Sequence, residues 1–290
     1  MKCTLCPRSC GAERDGKTGA GFCRMPAGLR VARAALHHWE EPPISGKNGA
    51  GTVFFSGCTL RCSYCQNGDI SAGGRGRDIT PERLREIYFE LLGQGAHNIE
   101  LVTPTHFLPW ILPSLEPKLP VPVVYNCGGY EKVETLRLLD GKVDVWLPDL
   151  KYSDGALARE LSGAEDYFPV ACDAIREMFR QTGRPVYDGN GLMRRGVIVR
   201  HLVLPGYLDN TRRVLDWLAE TFAPGDVAVS LMSQYTPPPH MTGRLARRVT
   251  AAEYRAAVAY MRNCGIEDGF VQERTSAEEA YTPAFDGTGV

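Results

Sequence analysis

Seven of the ten cysteines in this 290-residue chain fall in two tight clusters near the N-terminus. The second cluster, Gly57-Cys58-Thr59-Leu60-Arg61-Cys62-Ser63-Tyr64-Cys65, spaces three thiols as C-x3-C-x2-C. Thiolates this close supply three ligands from one loop and can wrap one face of a cubane iron–sulfur cluster. A fully ligated 4Fe–4S centre takes four thiolates, so Cys58, Cys62 and Cys65 leave one iron open to a chelating amino and carboxylate pair. The plainer reading is a three-cysteine zinc loop completed by a distant fourth ligand. The context favours the cluster: an apolar strand candidate leads into the loop, Tyr64 precedes the third cysteine, and a parallel α/β pattern follows.

The first cluster, Cys3-x2-Cys6-x3-Cys10-x12-Cys23, offers four soft ligands within 21 residues. Four thiolates saturate a tetrahedral zinc, or hold an iron–sulfur cluster with no open site. A closed ligand set suits a structural or electron-relay role. Zinc as a staple for a segment too small to fold alone is sufficient physically, and the short, irregular segment tilts towards it. Arg24, Arg30, Glu40 and Glu41 around this segment read as solvated surface.

These groups need elements to position them. From Gly51 onward short apolar runs alternate with helical periods, the pattern of repeated βα units around a parallel sheet. The predicted strands are 52–56, 98–103, 121–126, 143–149, 196–204 and 227–233. Thr80 followed by Pro81 opens a helix through about Leu92, and Thr250 with Glu253 has capping-box spacing for a helix to about Asn263. Further helices are predicted over 131–140, 166–182 and 211–222. Cys172 and Cys264 fall on helices as small core residues, and Cys127 is expected to be a buried structural thiol. The expected architecture is α/β: an incomplete parallel (β/α)6 barrel over residues 51–290, with an irregular, cysteine-rich, metal-binding segment over residues 1–50.

Composition excludes several function classes. Lys+Arg number 33 against Asp+Glu 34, for a net charge of −1, and no basic stripe suggests a nucleic-acid partner. No apolar run approaches the ~20 residues of a membrane span, and no leading apolar stretch resembles a signal peptide, so the expected location is cytoplasmic. That compartment keeps thiols reduced, which argues against a disulfide framework.

On these motifs the chain resembles the radical S-adenosylmethionine (SAM) superfamily. Within it, the chain is similar to the activating enzymes of pyruvate formate-lyase and other glycyl-radical enzymes, specifically the branch with an N-terminal four-cysteine motif. The resemblance covers nearly the whole chain and implies a radical SAM barrel whose open-site 4Fe–4S cluster binds SAM. It also implies an electron donor such as flavodoxin or ferredoxin. Where the superfamily has a Gly-Gly-Glu type segment for the SAM amino group, this chain has Thr103-Pro104-Thr105-His106, so Thr103 and Thr105 become the candidates. Asn126-Cys127-Gly128-Gly129 is similar to the activases' Asp-Thr-Asn-Gly, with Asn126 removing one negative charge where a monovalent cation would sit. Asp149-Leu150-Lys151 is similar to their Asp-x-Lys, and Arg200 with Pro205-Gly206 to their Arg-x-x-x-x-Pro-Gly. The resemblance thus implies SAM contacts at Tyr64, Thr103, Thr105, Asn126, Asp149, Lys151 and Arg200.

Each match has a duller explanation, since an Asp and a Lys at a strand end often form a surface ion pair. Arg200 and His201 alternate faces on a strand, and Arg200 is the one expected inside. Three functions follow. The first is an activase that takes hydrogen from a glycine of a partner protein, and the second is radical modification of a small molecule or ribosomal peptide. The third is a metal-binding module without chemistry, which leaves the polar strand ends unexplained. Thr105, His106, Asn126, Arg200 and Tyr235 are expected to form a polar rim beside a lateral opening that admits a polypeptide.

Overall fold

The computed structural model describes residues 2–16, 19–267, 269–271 and 283–290. Among these, the strands are β1 (Leu29–His37), β2 (Ala50–Phe55), β3 (Arg77–Ile79), β4 (Ile99–Val102), β5 (Val123–Cys127), β6 (Val145–Pro148), β7 (Val186–Tyr187), β8 (Met193–Leu202), β9 (Ala228–Met232) and β10 (Gly269–Val271). The helices are α1 (Pro42–Ser45), α2 (Gly68–Ser71), α3 (Pro81–Gly93), α4 (Leu108–Ser114), α5 (Val133–Arg137), α6 (Gly155–Ser162), α7 (Tyr167–Thr182), α8 (Leu208–Thr221) and α9 (Ala251–Asn263).

The sheet runs β10-β9-β8-β6-β5-β4-β2-β1-β3, with β7 on β8. From β2 to β10 the pairs along this path are parallel, and β1 pairs antiparallel with both β2 and β3. The result is a partial (β/α) barrel whose sheet does not close. All six predicted strands are present, their ends within three residues of expectation. The residues of β4, β5, β6 and β9 are buried throughout, as strands covered on both faces must be.

Helix signals also act as read. Thr80 accepts from the Arg83 amide at 3.2 Å, and Thr250 with Glu253 forms the complete capping box of α9. Amphipathic α7 buries Tyr167, Ala171, Ala174, Ile175 and Met178 on one stripe. Each large side chain so buried contributes about 1.5–3 kcal/mol. No described helix is long and apolar enough to cross a membrane.

The segment before the barrel departs from the expectation of irregular backbone, because Leu29–His37 is a nine-residue strand. Its Arg, Ala and His positions mute the alternation, but Leu29, Val31 and Ala34 are buried against the sheet. The following chain turns under the barrel. There Ile44 packs with Ala50, Val124, Val145, Leu147, Met193, Ile198 and Ala228, at or near the strands' N-terminal ends. This apolar layer fills the lower interior and leaves the upper strand ends for a site.

Candidate active site

A cavity of about 250 Å³ opens at the C-terminal ends of the parallel strands, where barrels of this kind carry their functional groups. Cys58, Cys62 and Cys65 line it together with Tyr64, Thr103, Asn126, Asp149, Lys151, Arg200 and Tyr235. The three-cysteine loop leaves β2 through Gly57 at φ +79°, where an added Cβ would stand 2.3 Å from Met25 Cγ. Glycine thus lets the three-cysteine loop lie directly on the N-terminal segment.

The thiols carry hydrogen bonds suited to cluster ligands. Ser162, at the end of α6, donates its hydroxyl hydrogen to Cys62 Sγ at 3.0 Å, and the Leu60 amide donates to Cys58 Sγ at 3.3 Å. Such bonds to sulfur tune iron–sulfur centres. Burial, together with the neighbouring Cys62, pushes Cys58 up to about 12, so the free thiol is neutral and ionises on binding a metal. Among the described residues, no three His, Cys, Asp or Glu side chains are grouped so as to hold a metal ion. The donor set nevertheless fits a 4Fe–4S cluster: three thiols of one loop, hydrogen-bonded at sulfur, beside open space.

Opposite the loop lies a buried charge network. Asp149 extends the β6 ladder: its amide donates to Cys127 O at 2.9 Å, and the Leu150 amide donates to Arg200 O at 2.8 Å. This pairing sets the two side chains face to face, and Arg200 Nε donates to Asp149 Oδ1 at 2.9 Å. Arg200 also donates to Glu40 Oε2 at 3.0 Å and to Asn126 Oδ1 at 2.6 Å, and Lys151 donates to Asp149 Oδ2. Burial raises the Asp149 carboxyl, but Arg200 and Lys151 outweigh it, and the group lies below its ordinary range. Gly129, at φ +77°, permits the close approach of β5 and β6, since a Cβ there would lie 2.1 Å from Asp149 O. The Asp149–Lys151 pair is therefore no surface ion pair, with 13% and 18% of the side chains exposed.

The structure corrects three expectations. Thr105 does not reach the cavity: it donates to Glu131 Oε1 at 2.9 Å and accepts from Tyr125 at 3.0 Å, because the chain turns into a 3-10 helix after Thr103. His106 is buried against Ser56 O at 2.7 Å and forms no rim. Glu40 and Glu41 are not solvated surface, because the chain crossing under the barrel carries them inward to line the cavity. Thr103 lines the cavity in a left-handed conformation, φ +57°, which is strained for a β-branched residue. Arg200 faces inward, while His201 faces outward and bonds Leu150 O and Thr211 Oγ1.

Sequence reasoning missed Glu100, which accepts from Thr52 and Asn126 at 2.7 Å each. Its place in the apolar run of β4 was the available signal, since an acid in a fully buried strand calls for partners. Burial raises its carboxyl, and it raises Glu40 to about 8 and Glu41 to about 7.

No protein-family model matches the chain. An uncharacterized protein of Methanocaldococcus jannaschii is 30% identical over 246 residues, which cover 81% of this chain and 66% of that relative. Among solved structures, SuiB of Streptococcus suis bound to S-adenosylmethionine superposes with a TM-score of 0.51 at 13% identity, over 75% of this chain and 48% of SuiB. SuiB bound to precursor peptide SuiA gives 0.52 at 12%, over 75% and 47%. Methylornithine synthase (PylB) gives 0.52 at 16%, over 83% and 72%. The FeFe-hydrogenase maturase HydG from Carboxydothermus hydrogenoformans gives 0.51 at 13%, over 80% and 55%. These structures are radical SAM enzymes, and the chain shares their fold. It spans about half of SuiB and just under two thirds of the archaeal relative.

Proposed function

We propose that this chain is a radical SAM enzyme that takes a hydrogen atom from a protein or peptide, in the activase form from a glycine Cα. One observation carries the reading: the C-x3-C-x2-C thiols and the Asp149–Arg200–Lys151 network line one cavity at the upper strand ends. When bound, a 4Fe–4S cluster on Cys58, Cys62 and Cys65 would supply one electron, from a flavodoxin- or ferredoxin-like donor, to cleave SAM into methionine and a 5′-deoxyadenosyl radical. That radical gains the substrate's hydrogen as 5′-deoxyadenosine, leaving the unpaired electron on the substrate. The protein's part is position and exclusion of water.

In this reading Asp149, Lys151, Asn126, Arg200 and Thr103 hold the polar groups of SAM. Lys151 is kept charged by Asp149, against the cost of its burial. Tyr64 packs against Tyr235 at 5.9 Å and accepts from Tyr152 at 2.9 Å, so the loop's aromatic is held from two sides. The N-terminal thiols form the second part of the proposal, a closed zinc or iron–sulfur site. Supporting it, Cys6 and Cys23 each lie within electrostatic reach of Cys3, and burial pushes Cys6 up to about 12. The peptide bound by SuiB supports a polypeptide substrate by analogy of fold only.

The test is isotopic. Reduced, reconstituted enzyme is incubated with SAM and candidate peptides carrying deuterated glycine. Deuterium in 5′-deoxyadenosine, with a glycyl signal by electron paramagnetic resonance, is expected. Label arriving only from a deuterated free metabolite would replace this reading with small-molecule chemistry.

A further inference from the structure

Trp39, Glu40 and Glu41 are consecutive, and all three line the cavity. Trp39 is 59% exposed and Glu41 only 7%, so the cavity leads from an aromatic at the surface to a buried acid. Phe54, Leu202 and Met232 add apolar wall.

The charges do not balance along this wall. Asp149 is matched by Lys151 and Arg200. Arg200 Nη1 goes to Glu40 and Nη2 to Asn126, so each nitrogen of the guanidinium already has an acceptor. Behind the wall Glu100 accepts hydrogen bonds from the neutral donors Thr52 and Asn126. Glu41 feels the Arg200 charge and is hydrogen-bonded by Ser230, yet its Oε2 is buried with no hydrogen-bond partner among the described residues. His37, on the same wall, does not supply a cation: burial holds it down to about 4. A buried carboxylate oxygen without a donor is a rare and costly arrangement, and in a cavity wall the missing donor can arrive with a ligand.

We propose that Glu41, assisted by Glu40, is a subsite for a cationic group of the substrate, an ammonium or guanidinium on an aliphatic stem such as a lysine- or arginine-like side chain. The stem lies along Phe54, Leu202 and Met232, and Trp39 offers its ring face to the cation as it enters. This rests on the radical SAM reading for calling the cavity a substrate site, and adds the chemistry of what enters.

The experiment is calorimetric titration of the reconstituted full chain with butylguanidinium, butylammonium and, as neutral control, 1-butanol, with and without SAM. Both cations are expected to bind and the alcohol not. Glu41→Gln should weaken cation binding about tenfold or more with SAM affinity altered less than about twofold, and Glu41→Asp should keep the preference for cations. Trp39→Ala, at an exposed position, gives a second reading if Glu41→Gln does not fold, with an expected loss of about threefold. Equal cation binding by wild type and the variants, or equal binding of butanol, overturns the proposal. So does a tenfold loss of SAM affinity in Glu41→Gln, which would assign the acid to SAM. Binding is read without turnover, so absence of SAM cleavage fails the function above and leaves this result standing.

Discussion

Arg8 and Thr59 are joined across 51 positions of chain, the guanidinium Nε donating to the Thr59 carbonyl oxygen at 2.9 Å. The same fork donates to Ser162 O at 2.6 Å and to Gly163 O, and it stacks over Phe22 at 3.9 Å. Thr59 lies between Cys58 and Cys62, and Ser162 bonds the sulfur of Cys62. The segment between Cys6 and Cys10 therefore holds the three-cysteine loop in place.

Arg8→Ala should accordingly loosen that loop. Loss of charged hydrogen bonds predicts destabilisation of about 1.5–3 kcal/mol, read by urea unfolding. Iron retained after reconstitution should fall as well. Arg8→Lys keeps the charge without the planar fork and should recover only part of the loss. A variant as stable and iron-rich as wild type would show the clasp to be incidental.

Replacing Cys58, Cys62 and Cys65 together by Ala should abolish reductive cleavage of SAM and the absorbance of the open-site cluster. Metal analysis of that triple variant, purified without oxygen, should still find about one zinc or about four irons per chain at Cys3, Cys6, Cys10 and Cys23. Continued SAM cleavage would sink the central proposal, and a metal-free triple variant would remove the second site.

Lys151→Ala should weaken SAM binding by about 10- to 100-fold, the effect of a charged hydrogen bond of ~1.5–3 kcal/mol, while leaving the cluster spectrum intact. Asp149→Ala should do more. It leaves Arg200 and Lys151 buried without their shared partner, and breaking a buried pair this way costs about 3–5 kcal/mol. Equilibrium dialysis with labelled SAM and thermal unfolding separate the two effects.

The acids on the cavity wall predict a pH dependence. Glu41 stands at about 7 in the folded chain, raised first by burial and then by Glu40, with Arg200 opposing. A carboxyl raised on folding adds stability below its unfolded value near 4.5, and that stability is lost as pH climbs through 7. The loss at Glu41 is on the order of 3 kcal/mol. Thermal midpoints of wild type should therefore fall from pH 5 to 8 more steeply than those of Glu41→Gln; parallel curves would contradict the shift.

Much of this was legible in the sequence because the signals are local. A C-x3-C-x2-C loop, a Thr-Pro helix start and a Thr250–Glu253 capping box act over a few residues, and each appears where its spacing puts it. Arg200 and His201 separate onto opposite faces as strand alternation requires. The misses come from long-range pairing. Leu29–His37 becomes a strand because β2 offers it an edge, and Thr105 leaves the site because Glu131 and Tyr125 capture its hydroxyl. Glu40 and Glu41 resemble any exposed acidic pair until the chain is seen to fold beneath the barrel, toward Arg200.

The layer around Ile44 has a kinetic consequence. Among the described residues this apolar layer closes the lower end of the barrel, so the chamber is a blind alley, not a corridor. Molecules that enter from the upper side must leave the way they came, and whatever lies deepest departs last. On the proposed reading the occupant nearest Glu41 would be loaded before the mouth is covered, and spent fragments nearer the thiols would clear first. Turnover, on that reading, would be paced by the order of traffic through the upper opening, and product trapped behind an outer occupant would act as a slow inhibitor.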